Sequence, residues 1–536
     1  MSGPGRTPGA LPRALIVGSG IAGLTAALEL GHCTVVTKTT LGEGSSRWAQ
    51  GGLAAAIGPG DSTADHAEDT RAVSSGLTVD EIVDMVTGDA PGRIRWLQHL
   101  GTGFDLAEDG TPALGREAGH RSRRIVHAGG DATGAAVMGA LVAAVRARPD
   151  IEVVENHRAV DLVRADGRIV GVTVAGPDGH VRALTAAAVV LATGGIGRVF
   201  ARTTNPAEAT GDGLAMALRA GAPIRDPEFV QFHPTALDGA LDPLPLLTEA
   251  LRGDGARLID AAGRRYLTGQ HPDAELAPRD VVARANWAAQ QHGAIFLDAR
   301  HLDTGPGATF TERFPTVFAA CMAAGIDPRR EPIPVTPAQH YHVGGIMTDG
   351  WGRAGLPGLY ACGEVASIGL HGANRLASNS LVEGLVLGGR VAASIADAPS
   401  TPRLRQPGAH RIRPEIPADP PDPGAPDDAT AVQHLRATMW RHGGLVRDAD
   451  GLTGALDTLD GLRPTLDTGI TGRNLAAVAA LVLRAALARE ESRGGHHRAD
   501  HPTSLPGPGS HTVVQDTDVP HRPLQPFGVH ERQVAS

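Results

Sequence analysis

Gly18, Gly20 and Gly23 stand at the spacing G-x-G-x-x-G, with Ser19, Ile21 and Ala22 between them. That spacing serves the grip of a pyrophosphate. The first glycine permits a tight turn, the second lets backbone approach the phosphates, and the third lets a helix pack on its strand. A helix starting there points its N–H groups and the positive end of its dipole at the anion. The apolar run Ala14-Leu15-Ile16-Val17 supplies the strand before the turn, and Leu24–Leu30 the helix after it. Cys33-Thr34-Val35-Val36-Thr37 closes a βαβ unit. In NAD-binding units an acidic residue ends this second strand and holds the ribose. Lys38 stands there instead, and Glu43 is the first acid beyond it. The missing carboxylate argues against a simple NAD site. It leaves FAD open, a cofactor that draws further contacts from distant parts of a chain.

Other stretches have residue types suited to such contacts. Gly42–Gly52 includes Ser45, Ser46, Arg47, Trp48, Ala49, Gln50, Gly51 and Gly52. A loop this rich in glycine and serine offers many backbone donors to a cofactor lying along it, although alone it also reads as an ordinary surface loop. Gly115–His127 is dense in arginine and histidine yet broken by glycines, so it is not a simple solvated helix face. Ala188–Ala192 is an apolar strand that runs into Thr193-Gly194-Gly195 and returns the chain to the dinucleotide site. Gly358–Ala366 is another strand ending in a glycine turn, where Glu364 can hold a ribitol or ribose hydroxyl.

The elements that must position these residues follow from periodicity. Thr63–Gly76 and Val79–His99 read as two surface helices. Asp131-Ala132-Thr133-Gly134 opens an apolar helix, with Asp131 or Thr133 available as its N-cap. Ile151–Val154, Ala159–Arg164 and Ile169–Val174 read as short strands, the last two joined at Ala165-Asp166-Gly167. Strand–helix alternation stops between Asp238 and His342, which points to an inserted domain. Ser380–Ile395 is a long glycine-containing helix, and 398–428 is a Pro-, Asp- and Arg-rich linker. A helical domain is expected from Ala429, with Leu475–Glu490 its clearest helix. Beyond Pro502 the Pro-, Gly- and His-rich tail reads as disordered, its histidines incidental. The expected division is therefore 1–237 and 343–397 for the two parts of a cofactor-binding domain, 238–342 for the insertion, 398–428 for the linker, 429–502 for the helical domain and 503–536 for the tail.

Composition narrows the function classes. A formal charge of −9 and the absence of basic runs argue against a nucleic-acid partner. Cys33, Cys321 and Cys362 are scattered, with no C-x-x-C pair, so neither a disulfide framework nor a zinc site is expected. Met1–Arg13 lacks an apolar core for a secretory signal, and no uninterrupted apolar run has membrane-spanning length. These features predict a cytoplasmic protein with no membrane partner and no metal.

Taken together, the motifs from Leu15 to Pro502 resemble L-aspartate oxidase, within the flavoprotein group of succinate dehydrogenase and fumarate reductase. Those that carry the resemblance are Gly18–Leu24, Ser45–Gly52, Arg116–Gly134, Ala209–Gly213, Glu228–Thr235, Thr248–Gly255, Pro278–Arg284, His340–Gly345, Gly363–Glu364 and Gly372–Gly384. Arg447 and Glu491–His496 fit the helical domain and its end. The resemblance implies an α/β fold: a Rossmann-like FAD-binding domain, an inserted α+β capping domain and a C-terminal helical domain. It adds Lys38, Asp212, Glu364, Ser380 and Leu381 to the FAD contacts. Respiratory members bond FAD to a histidine, where this chain has Ser45, so non-covalent FAD is implied. They carry a glutamine where this chain has Glu117, whose carboxylate can pair with an amino acid's ammonium. Tyr341-His342-Val343-Gly344-Gly345 departs mildly from the family's Tyr-Thr-x-Gly-Gly.

The implied reaction takes L-aspartate to iminoaspartate, the first step of de novo NAD biosynthesis, with oxygen or fumarate reoxidising the flavin and quinolinate synthase as a candidate partner. His233, Arg279, His340 and Arg375 match the family's cationic positions, with Thr248 as a hydroxyl donor and Glu249 beside it. The family role of Arg279 is proton transfer, whereas an always-protonated guanidinium is by ordinary chemistry a carboxylate clamp. Two other readings stay open: a soluble fumarate reductase or succinate dehydrogenase flavoprotein, opposed by Ser45 and Glu117, and a catalytically dead flavin-binding or assembly protein, opposed by Glu117, Arg279 and Arg375.

Overall fold

Five parallel strands gather the glycine turns at one edge of a sheet. In the computed structural model, which describes residues 13–303, 309–397, 427–506 and 509–514 and the backbone of 531–534, their order is Leu359–Ala361, Ala188–Leu191, Ala14–Val17, Cys33–Val36 and Ile151–Val154. The central strands are apolar throughout because helices cover both faces of the sheet. Gly18, Lys38, Thr193 and Gly363 all follow the carboxyl ends of these strands, the edge where open parallel sheets bind ligands. The helix Ile21–Leu30 lies against the helix Asn379–Asp397. Glycine permits the approach: a Cβ on Gly388 would sit 2.6 Å from the Ala22 carbonyl oxygen. That crossing brings Ser380 and Leu381, at the start of the second helix, beside the glycine turn.

The insertion is built on an antiparallel sheet in the order Val230–Leu237, Ile333–His342, Ile295–Asp298, Arg257–Asp260. Helices Arg279–Gln290 and Pro315–Ala323 belong to it, around a separate core that includes Leu247, Leu258, Val282, Leu297, Phe310 and Val335. The sheet begins at Val230, ahead of the expected start at Asp238. His233 lies opposite Ala338 in it, so His233 and His340 come together through sheet pairing. Arg158–Ala165, Arg168–Ala175 and Val181–Thr185 form a separate antiparallel sheet.

Helices Ala429–His442, Ala449–Leu466 and Ile470–Ala488 make the C-terminal unit. The last is long and apolar enough by length and composition to cross a membrane, but it is mostly buried within the protein and serves as the core of this unit. Residues 398–426 of the expected linker lie outside the described residues.

Two expectations need correction. The tail is not uniformly disordered: His511–Val514 is a buried strand paired with Ile224–Arg225, and residues 531–534 pair with it in parallel. Its His511 is not incidental, since Nδ1 lies 2.5 Å from the buried Asp226 carboxylate. Nor does Asp131 or Thr133 cap the helix Thr133–Arg146. Asp131 instead accepts the N–H groups of Thr316 and Val317, at the start of a helix in the insertion. A carboxylate there satisfies two orphan donors of a helix that no local side chain caps.

Candidate active site

One cavity of about 780 Å³ runs from the glycine turn to the two histidines. Gly18, Ser19, Gly20, Ile21, Ala22, Lys38, Ser45, Ser46, Arg47, Trp48, Ala49, Gln50, Gly51, Gly52, Asp212, Glu364, Ser380 and Leu381 all line it. Gly23 does not; it packs against Gly18, as the third glycine of the motif should. Gly18 has φ +111°, and a Cβ there would overlap the Ala192 carbonyl, so strand, turn and neighbouring strand meet in backbone alone. The helix that follows has no side-chain cap at Gly20. Its first N–H, that of Ile21, donates to Ser46 Oγ at 3.1 Å, and the positive end of the helix dipole faces the cavity.

Charges at this end are paired inside the protein. Lys38 Nζ donates to Asp212 at 2.9 Å and to Thr210 at 2.8 Å. Arg158 and Asn474 also donate to the Asp212 carboxylate, each at 2.8 Å. Burial opposes its charge, yet Lys38 and Arg158 hold the carboxyl far below its usual range. Asp212 therefore works by fixing Lys38 and Arg158 on the cavity wall. Glu364 behaves differently: burial pushes it up to about 7, against one backbone hydrogen bond from His342 N–H at 2.9 Å. A ligand hydroxyl donating to Glu364 would favour its charged form.

At the other end, Glu117, His233, Thr248, Glu249, Arg279, His340 and Arg375 share the cavity wall. Arg279 Nε donates to Glu249 Oε2 at 2.6 Å and Nη1 to Gln231 Oε1 at 3.1 Å. Glu249 also pairs with Arg252 at 3.1 Å; burial raises its carboxyl, but Arg279 and Arg252 bring it below the usual value. Arg375 lies over the Tyr341 ring, 4.5 Å from its centroid, and donates to Ser380 Oγ at 3.1 Å. Burial and then Arg279 lower it to about 10, which leaves it a cation. His233 and His340 stack edge to face at 5.2 Å. Burial and the neighbouring arginines hold both far below the usual imidazole range, so both are neutral. Their Nδ1 atoms are occupied by the Thr235 backbone and by Thr204 Oγ1, which leaves Nε2 of each for the cavity. Thr248 Oγ1 accepts from Ala250 N–H at 3.4 Å, so its own hydrogen remains to donate. Glu117 is buried, accepts from Ser378 Oγ at 2.6 Å, and is raised by burial and by Glu249.

Sequence reasoning missed the residues that join these groups. Gln231 accepts from Arg279 and donates to the Arg375 carbonyl at 2.8 Å, so one amide sets the spacing of both arginines. Its only signal was its place in Q-F-H-P. Ser378 and Arg252 lay inside the quoted motifs but had no spacing to single them out. His342, the departure from the family pattern, has its ring on the Pro227 carbonyl and leaves the cavity to its neighbours.

The cofactor implied by the resemblance fits this wall: glycine backbone where a Cβ would intrude, the positive end of a helix dipole facing the cavity, and a single cavity joining that end to the arginines. The family described as FAD binding domain matches residues 13–381, and that described as fumarate reductase flavoprotein C-term matches 464–518. The L-aspartate oxidase of Caulobacter vibrioides is 50% identical, over 92% of this chain and 94% of its own length. That of Streptomyces coelicolor is 49% identical, over 91% and 88%. A solved E. coli quinol fumarate reductase FrdA variant superposes with a TM-score of 0.83 at 30% identity, covering 95% of each chain. With that identity sustained along nearly the whole sequence, the chain belongs to the L-aspartate oxidase family of FAD-binding flavoproteins.

Proposed function

We propose that this chain oxidises L-aspartate to iminoaspartate with non-covalent FAD, as the first step of de novo NAD biosynthesis. FAD along the glycine wall supplies the hydride acceptor. Arg279 and Arg375 take the two substrate carboxylates, guanidinium forks being suited to two-point contact. Neutral His233 and His340 and the Thr248 hydroxyl add donors without adding charge. Glu249 is occupied by Arg279 and Arg252 and so keeps Arg279 oriented. That leaves Glu117 as the carboxylate for the substrate ammonium. This buried carboxylate, facing Arg279 and Arg375 across the cavity, is the observation that carries the reading. Succinate has no group to meet it. Fumarate fits the arginines alone and, with oxygen, is the proposed acceptor that reoxidises the flavin. Quinolinate synthase is the proposed consumer of the product, and the cytoplasm the proposed compartment.

The test is anaerobic. L-Aspartate should bleach the purified yellow protein while succinate leaves it oxidised, and acid precipitation should release the flavin into solution. Bleaching by succinate alone would mean a succinate dehydrogenase-like enzyme.

A further inference from the structure

Ser378 has φ +61°, a backbone conformation that residues other than glycine keep only where their surroundings hold them in it. Its hydroxyl is the donor to Glu117 Oε2. The turn that carries Glu117 also grips the residues just before Ser378. Gly119 is close enough to Leu376 that a Cβ would sit 2.8 Å from its side chain. His120, whose N–H donates to the Glu117 carbonyl at 3.2 Å, reaches across with Nε2 to the Ala377 carbonyl at 3.0 Å. On the far side, Asn379 Nδ2 donates to Thr70 at 3.0 Å and Oδ1 faces His66 Nε2 at 2.8 Å.

These partners assign the protons. A carbonyl only accepts, so His120 carries its hydrogen on Nε2, and the same holds for His66 against Asn379 Oδ1. Burial lowers the two imidazoles to about 3 and about 4, so both stay neutral. The Nδ1 atom of each is buried with no hydrogen-bond partner. An apolar side chain would avoid that loss, so packing alone does not account for an imidazole at either place.

We propose that His120, assisted by His66, is a positioning residue: it pins Ala377 so that Ser378 stays left-handed and its hydroxyl fixes the Glu117 carboxylate that meets the substrate ammonium. The inference rests on the ammonium role of Glu117 given above. Besides Ser378, the charged groups facing Glu117 are Glu249, Arg279 and Arg375. Of these neighbours Ser378 is the one that donates a hydrogen bond to it, so releasing Ser378 removes a bond to the charged form. Glu117 then takes up its proton at higher pH.

The experiment measures kcat/KM against pH for L-aspartate and for fumarate in the FAD-loaded enzyme, with His120→Leu, His120→Gln and Glu117→Gln beside wild type. His120→Leu should lower the L-aspartate value about tenfold while changing the fumarate value less than about twofold. The acid limb for L-aspartate should move up by about one pH unit. His120→Gln, which keeps an N–H for Ala377, should regain most of both. Amide exchange over 376–380 without substrate should quicken in His120→Leu and slow again in His120→Gln. If His120→Leu leaves ratio and limb unmoved while Glu117→Gln lowers the ratio, the positioning role is wrong and the ammonium role stands. If Glu117→Gln leaves the ratio unchanged, both fall. Should His120→Leu not fold, Ser378→Gly accepts the backbone angle and lacks the hydroxyl. It should show the same lowered ratio, and an unchanged ratio would overturn the proposal.

Discussion

Glu117 and Arg279 carry the sharpest consequences of single side chains. Removing the charge in Glu117→Gln should cost L-aspartate oxidation on the order of 1.5–3 kcal/mol, roughly ten- to a hundredfold in kcat/KM, and spare fumarate reduction. Burial and Glu249 raise this carboxyl. Below its raised pKa it is neutral and cannot pair with the ammonium. The L-aspartate kcat/KM of wild type should therefore fall as pH drops through a value above the ordinary glutamate range, and fumarate reduction should lack that limb. A pH profile shared by both substrates would place the titrating group elsewhere. Arg279→Lys separates clamp from point charge. Lysine keeps the cation but cannot serve Glu249, Gln231 and a carboxylate in one plane. The variant should retain flavin and lose about tenfold or more of L-aspartate turnover, and near-normal turnover would remove Arg279 from the site. At this scale the sequence named the charged residues through shared motif order, whereas Gln231 and Ser378 had no legible spacing because their role is to touch other side chains.

Among the elements, the crossing of Ile21–Leu30 with Asn379–Asp397 governs the cofactor end. Gly388 lies against the Ala22 carbonyl, and the same helix begins with Ser380 and Leu381 on the cavity wall. Gly388→Leu must push the helices apart, since overpacking a close contact costs about 1–3 kcal/mol or more. The expected outcome is weaker flavin retention and a lower Tm, read from the absorbance ratio of purified protein and from thermal denaturation. Full flavin occupancy would show that the crossing does not set the cavity. The βαβ start was legible because its strand, turn and helix are contiguous and each has its own periodicity. The cap of Pro315–Ala323 was not, because Asp131 stands 185 residues before Thr316 in the chain.

Across the whole molecule, a buried ionic network ties the C-terminal segment to the strand that leads into the site. Arg489 is almost fully buried and donates to Glu228 at 2.6 Å, Glu491 at 2.7 Å and Thr512 Oγ1 at 2.9 Å. Arg489→Met takes the guanidinium from the buried Glu228 carboxylate, while Glu491 keeps Arg493, and should destabilise the fold by about 3–5 kcal/mol. Thermal denaturation should show a drop of several degrees, and amide exchange at 511–514 should quicken; an unchanged exchange rate there would mean that the network does not hold the strand. The tail's composition suggests disorder, since Pro, Gly and His bury little apolar surface. The strand nevertheless forms because Asp226 and Glu228, 286 and 284 residues before Thr512 in the chain, accept from Thr512 while Arg489 donates to it. By itself the sequence determined the glycine turn, the apolar parallel strands and the residue types of the site, because backbone clearance and periodicity are local properties. Tertiary structure alone decided that His233 meets His340, that Gln231 spaces two arginines and that Glu117 is the carboxylate left unpaired by them. Those outcomes depend on sheet pairing and on which charges neutralise one another, and both require residues distant in sequence to be brought together.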